Sequence, residues 1–373
     1  MITDTLILGG GISGLGVAWH LLRAGHRVTV IDRGRAGAES SWAGGGILFP
    51  LLPWDYPESL ARLALRSMAT YAGWVAEIEA TGGGDAEYWR CGMLALNVGE
   101  GERARAWCAA HGVAVEPAPS RLFTLPPQGD GGQTLWLPDV AQVRNPRLVA
   151  ALRAAVEARG GRVIEQCAAT GVRTQSGRVT ALETTAGTFA AGTVVLATGA
   201  WSGLGLPGLA GVPNVRPIRG QMLLFRLEPG VLDTIVYRDG LYLIPRRDGH
   251  VLVGSTLEDA GFDKSTDAAT RARLHAAAAG LLPALGTVQP VQHWAGLRPG
   301  APDNIPIIDR HPDFDNVFIN SGHFRYGVTL APASAELLVA LMEGTTTPLD
   351  AAPYGWQAAL ERAWDAEHGD ASG

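Results

Sequence analysis

The sequence predicts a mixed α/β fold, α+β overall, in which a parallel-sheet domain is interrupted by an antiparallel-sheet domain. Three observations carry that expectation. Residues 5–32 make one complete strand–glycine loop–helix–strand–acid unit. Strand patterns crowd together in 88–136, 163–190 and 215–253. Helical patterns separate these stretches and close the chain, so the first domain is left and re-entered more than once.

The opening unit begins with Thr5-Leu6-Ile7-Leu8, an apolar run suited to a buried parallel strand. Gly9-Gly10-Gly11-Ile12-Ser13-Gly14 follows and satisfies GxGxxG. Gly9 suits the tight turn, Gly11 a close approach of the backbone to a pyrophosphate, and Gly14 the packing of helix on strand. Leu15, Ala18, Trp19 and Leu22 share a helical face that Gly25 ends. The helix N-terminus, with Ile12 and Ser13, offers N–H groups to phosphate. The second strand, 27–31, ends in Asp32, an acceptor for a ribose diol. Together these parts predict a dinucleotide site.

The next stretch favours FAD over a nicotinamide cofactor. From Arg33 through Ser40, Ser41, Ala43, Gly44, Gly45 and Gly46 the chain is a polar, small-residue loop rather than the next helix. A second buried strand, 193–197, runs into Thr198, Gly199 and Trp201, and returns the chain to the dinucleotide.

Further along, a helix is expected over 57–80, ended by Gly82-Gly83-Gly84. A strand near 91–97, a short helix near 102–111 and a Pro/Gly-rich connection over 117–132 follow. Asn145-Pro146 reads as an N-cap with proline at the first helical position. Strands near 163–165, 172–174, 179–184 and 188–190 read as a meander. An alanine-rich helix spans 270–282, strands return near 291–294 and 317–320, and the last helix follows Gly327. The tail after Ala366 carries no pattern.

Composition limits the function classes. Of 373 residues 49 are glycine, nearly twice the usual share, while charged residues are only 18%. Low charge with 47% hydrophobic residues argues for a folded chain rather than a disordered one. The net charge of −6 and the scattered arginines argue against a nucleic-acid binder. Three widely spaced cysteines (Cys91, Cys108, Cys167) with no CxxC fit neither a disulfide framework nor a metal site. No basic, cleavable leader and no apolar run long enough for a bilayer is present, so a cytoplasmic location and no membrane span are expected.

Beyond the opening unit, five segments carry a family resemblance: Thr198-Gly199-Ala200-Trp201-Ser202, Pro217-Ile218-Arg219-Gly220-Gln221, Leu241–Arg246, Trp294–Gly300 and Ser321–Gly327. Taken together and in this order, from Leu6 to about Leu341, they resemble the D-amino acid oxidase (DAO) superfamily of FAD enzymes. Within it they are most similar to the glycine oxidases of thiamine biosynthesis. The resemblance implies a Rossmann-like FAD-binding domain over 1–80, 138–215 and 296–373, and an antiparallel-sheet substrate-binding domain over 81–137 and 216–295. It implies that Arg298 takes the substrate carboxylate, that Tyr242 hydrogen-bonds it, and that Arg325 is a second arginine close by. Ala169, and His323, Phe324, Arg325, Tyr326, Gly327, Val328 and Thr329 at the start of the last helix, join the expected cofactor contacts. That helix start would face the flavin. An arginine suits a carboxylate because its planar fork donates two parallel hydrogen bonds.

The implied activity is oxidation of glycine or a related small or N-substituted amino acid. A hydride would pass from Cα to flavin N5, and the products would be an imine, then oxo acid and amine, with hydrogen peroxide from molecular oxygen. No motif offers an Asp or Glu as general base, and His323 reads as structural. Tyr326, Leu257 and Gly240 depart from the glycine oxidase pattern around the expected pocket, where respectively an asparagine is common, a methionine can face the substrate and a histidine can occur. Some members of the family that the chain resembles bind flavin covalently through a late cysteine or an early histidine. Here no cysteine follows Cys167 and no histidine lies between His26 and His111, so the resemblance implies non-covalent FAD. Two alternatives stay open: a dehydrogenase passing electrons to a quinone or protein acceptor, and a non-catalytic FAD-binding or assembly protein. A homo-oligomer is also open.

Overall fold

The computed structural model describes residues 4–119, 132–209, 211 and 213–364. Most of the 117–132 connection and the tail after Ala366 lie outside the described residues.

The opening strand lies in a six-stranded sheet. In spatial order its strands are Ile307–Arg310, Val317–Ser321, Thr193–Leu196, Asp4–Leu8, Arg27–Ile31 and Arg162–Ile164. All pairs are parallel except the edge pair Ile307–Arg310 with Val317–Ser321. The sequence pattern places the Arg162–Ile164 strand in a meander. It instead pairs with Arg27–Ile31, because its apolar side chains continue this sheet's edge. The meander proper has three strands: Ala169–Gln175, Arg178–Thr184 and Gly187–Ala190.

Alternation along the buried strands divides the core into two layers. Ile7, Val30 and Val195 pack against the helices Ile12–Arg23, Glu58–Gly82, Asn145–Ala158 and Gly327–Glu343. Leu6, Leu8, Ile31 and Val194 pack against the meander through Val179 and Leu182. The sheet's chain order reverses between Asp4–Leu8 and Thr193–Leu196, and the crevice beyond those strand ends is where such sheets bind ligands.

The second sheet has seven strands: Gln292–Gly300, Arg216–Arg226, His250–Gly254, Leu241–Pro245, Ile235–Arg238, Met93–Val98 and Gln133–Leu137. One pair within this otherwise antiparallel sheet, Met93–Val98 with Ile235–Arg238, is parallel. The Gln292–Gly300 strand runs through residue 296, where the sequence placed a domain boundary. The Ala268–Leu281 helix covers one face through Leu274, Ala278 and Leu281. The opposite face carries Met222, Ile244 and Tyr242.

Two local expectations are corrected. Asn145 is the first helical residue rather than the cap, and Arg144 precedes it with no side-chain cap. Proline at the second helical position is equally free of a lost hydrogen bond. Pro332, placed by the sequence in a first turn, is the sixth residue of the Gly327–Glu343 helix.

Candidate active site

A cavity of about 650 Å³ opens at the sheet's switch point and extends to the second sheet. Its floor is the opening glycine turn. Gly9 has φ +105°, and a Cβ there would lie 2.2 Å from the carbonyl oxygen of Ala197. Only glycine fits that approach. Asp32 accepts from the amides of Gly10 (2.7 Å) and Gly34 (2.8 Å), one on each oxygen. A carboxylate accepts about four hydrogen bonds, so lone pairs remain for a diol. Ser41 Oγ accepts from Ile12 N at 2.9 Å, and Gly11 caps the helix with no side-chain bond. Arg33 lies over the Trp201 ring, 3.6 Å from its centroid, and both line the cavity with Ala169, Thr198 and Gly199.

Gly14 is the one expected cofactor residue that does not line the cavity. A Cβ there would lie 2.0 Å from Gly9 O, so its absence serves the close packing of helix on turn.

Further in, the turn Ala43–Ile47 is held by its carbonyls. Trp294 Nε1 donates to Ala43 O (3.1 Å), Arg246 Nη2 to Gly45 O (2.8 Å), Val143 N to Gly46 O (2.9 Å) and Thr329 Oγ1 to Ile47 O (2.9 Å). Ser40 Oγ donates to Leu297 O and ties the preceding turn to the second sheet. Opposite lies the start of the Gly327–Glu343 helix, whose cap residue Tyr326 makes no side-chain capping bond. His323 is buried, with Nε2 3.1 Å from Ser334 Oγ and Nδ1 3.5 Å from Ser13 Oγ. Burial pulls its pKa down to about 4, so the ring is neutral at physiological pH. A turn closed to any Cβ, two helix starts whose own cap residues make no side-chain bond and an acid aimed from the second strand together fit FAD, with its pyrophosphate and ribose groups.

At the second sheet the cavity meets Arg298. Its Nη1 donates to Arg219 O (3.3 Å) and Thr256 O (3.1 Å), and its Nη2 to Ser255 Oγ (2.6 Å). Tyr242 lies close enough to hydrogen-bond the guanidinium as well, so all the partners of Arg298 among the described residues are neutral groups. Burial lowers the guanidinium's pKa from its ordinary value, Tyr242 opposes that, and the charge of Arg325 adds to it. Behind Arg298, Glu258 accepts from Arg219 Nε (2.8 Å) and Gln221 Nε2 (3.0 Å), which stiffens the strand pair that carries it. Tyr242 reaches Met222 Sδ at 3.8 Å. Arg325 is exposed, packs over Phe324 at 5.4 Å, and has no carboxylate partner among the described residues.

The cavity therefore gathers every expected site residue except Gly14: the turn, the Ser40–Gly45 loop, the His323–Thr329 segment, Tyr242, Arg298 and Arg325. The three departures from the glycine oxidase pattern, Gly240, Leu257 and Tyr326, also line it. Sequence reasoning missed Phe49, Asp55, Tyr56, Tyr237, Ser255 and Thr256. Tyr326 donates to Tyr56 at 2.9 Å, and Tyr237 accepts from Gly240 N at 3.2 Å. Asp55 brings an acid to the wall that no motif contained. It is exposed and 3.6 Å from Arg103. None of these six lies in a glycine-rich motif, and only Tyr56 next to Pro57 stands beside a recognised helix start.

Residues 4–341 match the family model DAO, FAD dependent oxidoreductase. The chain is 41% identical over 358 residues to a glycine oxidase of Pseudomonas aeruginosa, covering 95% of this chain and 98% of that protein. It is 33% identical over 361 residues to the bifunctional protein ThiO/ThiG of a Nostoc species, covering 94% of this chain and 54% of that one. Among solved structures it is similar to glycine oxidase from Geobacillus kaustophilus, with TM-score 0.86, 28% identity, and coverage of 95% and 98%.

Proposed function

The chain belongs to the DAO family of FAD-dependent oxidoreductases, and from that premise we propose that it oxidises glycine or a related small or N-substituted amino acid at Cα. It is a glycine oxidase-like amino acid oxidoreductase. The finer reading rests on one observation: Arg298, bonded only to neutral groups, lines the same cavity as Tyr242 and the glycine turn.

In this reading FAD is held without a covalent bond by Gly9–Ser13, Asp32, Ser40–Gly45 and the start of the Gly327–Glu343 helix. Bound FAD would supply the hydride acceptor, with molecular oxygen as final oxidant and hydrogen peroxide as product. Arg298 and Tyr242 take the substrate carboxylate and orient Cα. Arg325 adds a second positive charge on the wall. His323, neutral and held between two hydroxyls, supports the helix start and moves no proton. A substrate amine that arrives unprotonated needs no general base. The imine then hydrolyses to oxo acid and amine. The resemblance to glycine oxidases supports a place in thiamine biosynthesis and a cytoplasmic location. Among the described residues no helix is long and apolar enough to cross a membrane.

The test is an anaerobic screen for flavin bleaching with glycine, sarcosine, larger N-alkyl glycines, D-amino acids and proline, followed by peroxide assay in air. Bleaching with peroxide supports an oxidase. Bleaching with slow peroxide release and fast turnover on a quinone supports a dehydrogenase. No bleaching by any of them contradicts the catalytic reading. Acid precipitation should leave the flavin in solution.

A further inference from the structure

Arg246 is 4% exposed, and among the described residues no carboxylate lies within ion-pair distance of it. Its partners are all neutral: Nη1 donates to Gln142 Oε1 (2.5 Å) and Val143 O (2.8 Å), Nη2 donates to Gly45 O (2.8 Å), and Nε has no partner among the described residues. The acids in the neighbourhood are engaged elsewhere. Asp248 is 2.7 Å from Arg144, and Glu87 is 3.1 Å from Arg144 and 3.2 Å from Arg147. Burial lowers the Arg246 pKa to about 10, which leaves the side chain charged at neutral pH. A buried charge is ordinarily paired, because taking an ion out of water is costly. Here a full positive charge stands unpaired, one hydrogen bond behind the cavity wall.

The wall at that point is Gly45. A Cβ there would come within 2.6 Å of Ile244 Cδ1 and 3.4 Å of Tyr242. With the carbonyls of Ala43, Gly45, Gly46 and Ile47 taken, the amide N–H groups of Gly45, Gly46 and Ile47 have no hydrogen-bond partner among the described residues, and all three residues line the cavity. The groups nearest the wall are positive, three N–H dipoles with a guanidinium behind them, while Glu87 and Asp248 act on Arg246 from beyond ion-pair distance and are themselves paired with Arg144.

We propose that Arg246 is a positioning residue that fixes the Ala43–Ile47 turn through Gly45 and makes the adjoining wall electropositive, so that negative charge on the group bound there is favoured. With FAD as that group, a premise carried over from the proposed function, Arg246 raises the cofactor's tendency to accept electrons. Gln142 is neutral where a carboxylate would cancel the effect.

The test compares the FAD-loaded wild type with Gln142→Glu, Arg246→Gln and Arg246→Lys. Gln142→Glu keeps the guanidinium and its contacts but cancels its charge in place. For each protein the flavin midpoint potential, the affinity for sulfite as an anionic probe, and the Tm are measured. Gln142→Glu and Arg246→Gln should shift the potential to more negative values and weaken sulfite binding about tenfold. Arg246→Lys should stay within about twofold of wild type. Unchanged potential and sulfite affinity in Gln142→Glu, or a lysine variant as impaired as the glutamine one, would overturn the proposal. If Arg246→Gln does not fold, Gln142→Glu decides alone. A wild-type protein that takes up no FAD at all overturns the cofactor premise itself, a result distinct from both.

Discussion

The hydroxyl of Tyr71 donates to the carbonyl of Val328 at 3.0 Å. That carbonyl is the acceptor Pro332 leaves empty, because proline has no N–H to return to the residue four positions back. Tyr71 is fully buried on the Glu58–Gly82 helix, and burial raises its pKa well above the ordinary value, so it stays a donor. A helix start at the cavity is thus completed by a side chain 257 positions away.

Tyr71→Phe keeps the ring and removes the donor. It should destabilise the protein by about 1–2 kcal/mol, the cost of stranding a buried acceptor. Urea unfolding should show a lower midpoint with an unchanged slope. A midpoint equal to wild type would mean that water satisfies Val328.

Two glycine-to-alanine changes separate glycines required by close packing from glycines that merely occupy a helix. At Gly14 a Cβ would lie 2.0 Å from the Gly9 carbonyl, whereas at Gly73, in the Glu58–Gly82 helix, nothing lies within 4 Å. Gly14→Ala should lose FAD on gel filtration or fail to fold. Gly73→Ala should keep its flavin and gain up to about 1 kcal/mol.

That contrast also marks what was legible in the sequence. The unit from Gly9 to Asp32 could be read because its parts are close in sequence and each residue type follows from local backbone geometry. Arg298 and Tyr242 came from a family resemblance, since a single arginine in a strand carries no local signature. Tyr56, Tyr237 and Asp55 were not readable, because two distant segments converge on the pocket only when the second sheet folds over the first. Asn145 was misplaced by one position for a related reason: cap preference is local, but where a helix starts is decided by packing. Pro332 was misjudged because its compensating donor, Tyr71, lies on another helix.

Stability should fall in mild acid, and His323 gives the sign. Its folded pKa is about 4 against an ordinary 6.5. Above pH 6.5 neither state binds the proton, and the full stability is present. As pH falls from 6.5 to about 4, the unfolded chain takes a proton that the folded chain refuses, so stability drops, by about 3 kcal/mol in total. Below about 4 this loss is complete. Denaturant unfolding across that window should show the slope, and His323→Gln should remove one proton's worth of it.

Ser255 donates nothing to a ligand in this account but accepts from Arg298 Nη2 at 2.6 Å. Ser255→Ala should therefore loosen Arg298, raising KM several-fold with a smaller effect on kcat. An equal fall in kcat with KM unchanged would assign the serine to the reaction itself.

The most direct test of the central claim is anaerobic flavin reduction in Arg298→Ala, with FAD loaded to the wild-type level. The wild-type protein should be bleached by at least one small amino acid, and the variant should be bleached by none at concentrations that saturate the wild type. Bleaching of Arg298→Ala at the wild-type rate would contradict the carboxylate anchor on which the functional reading rests.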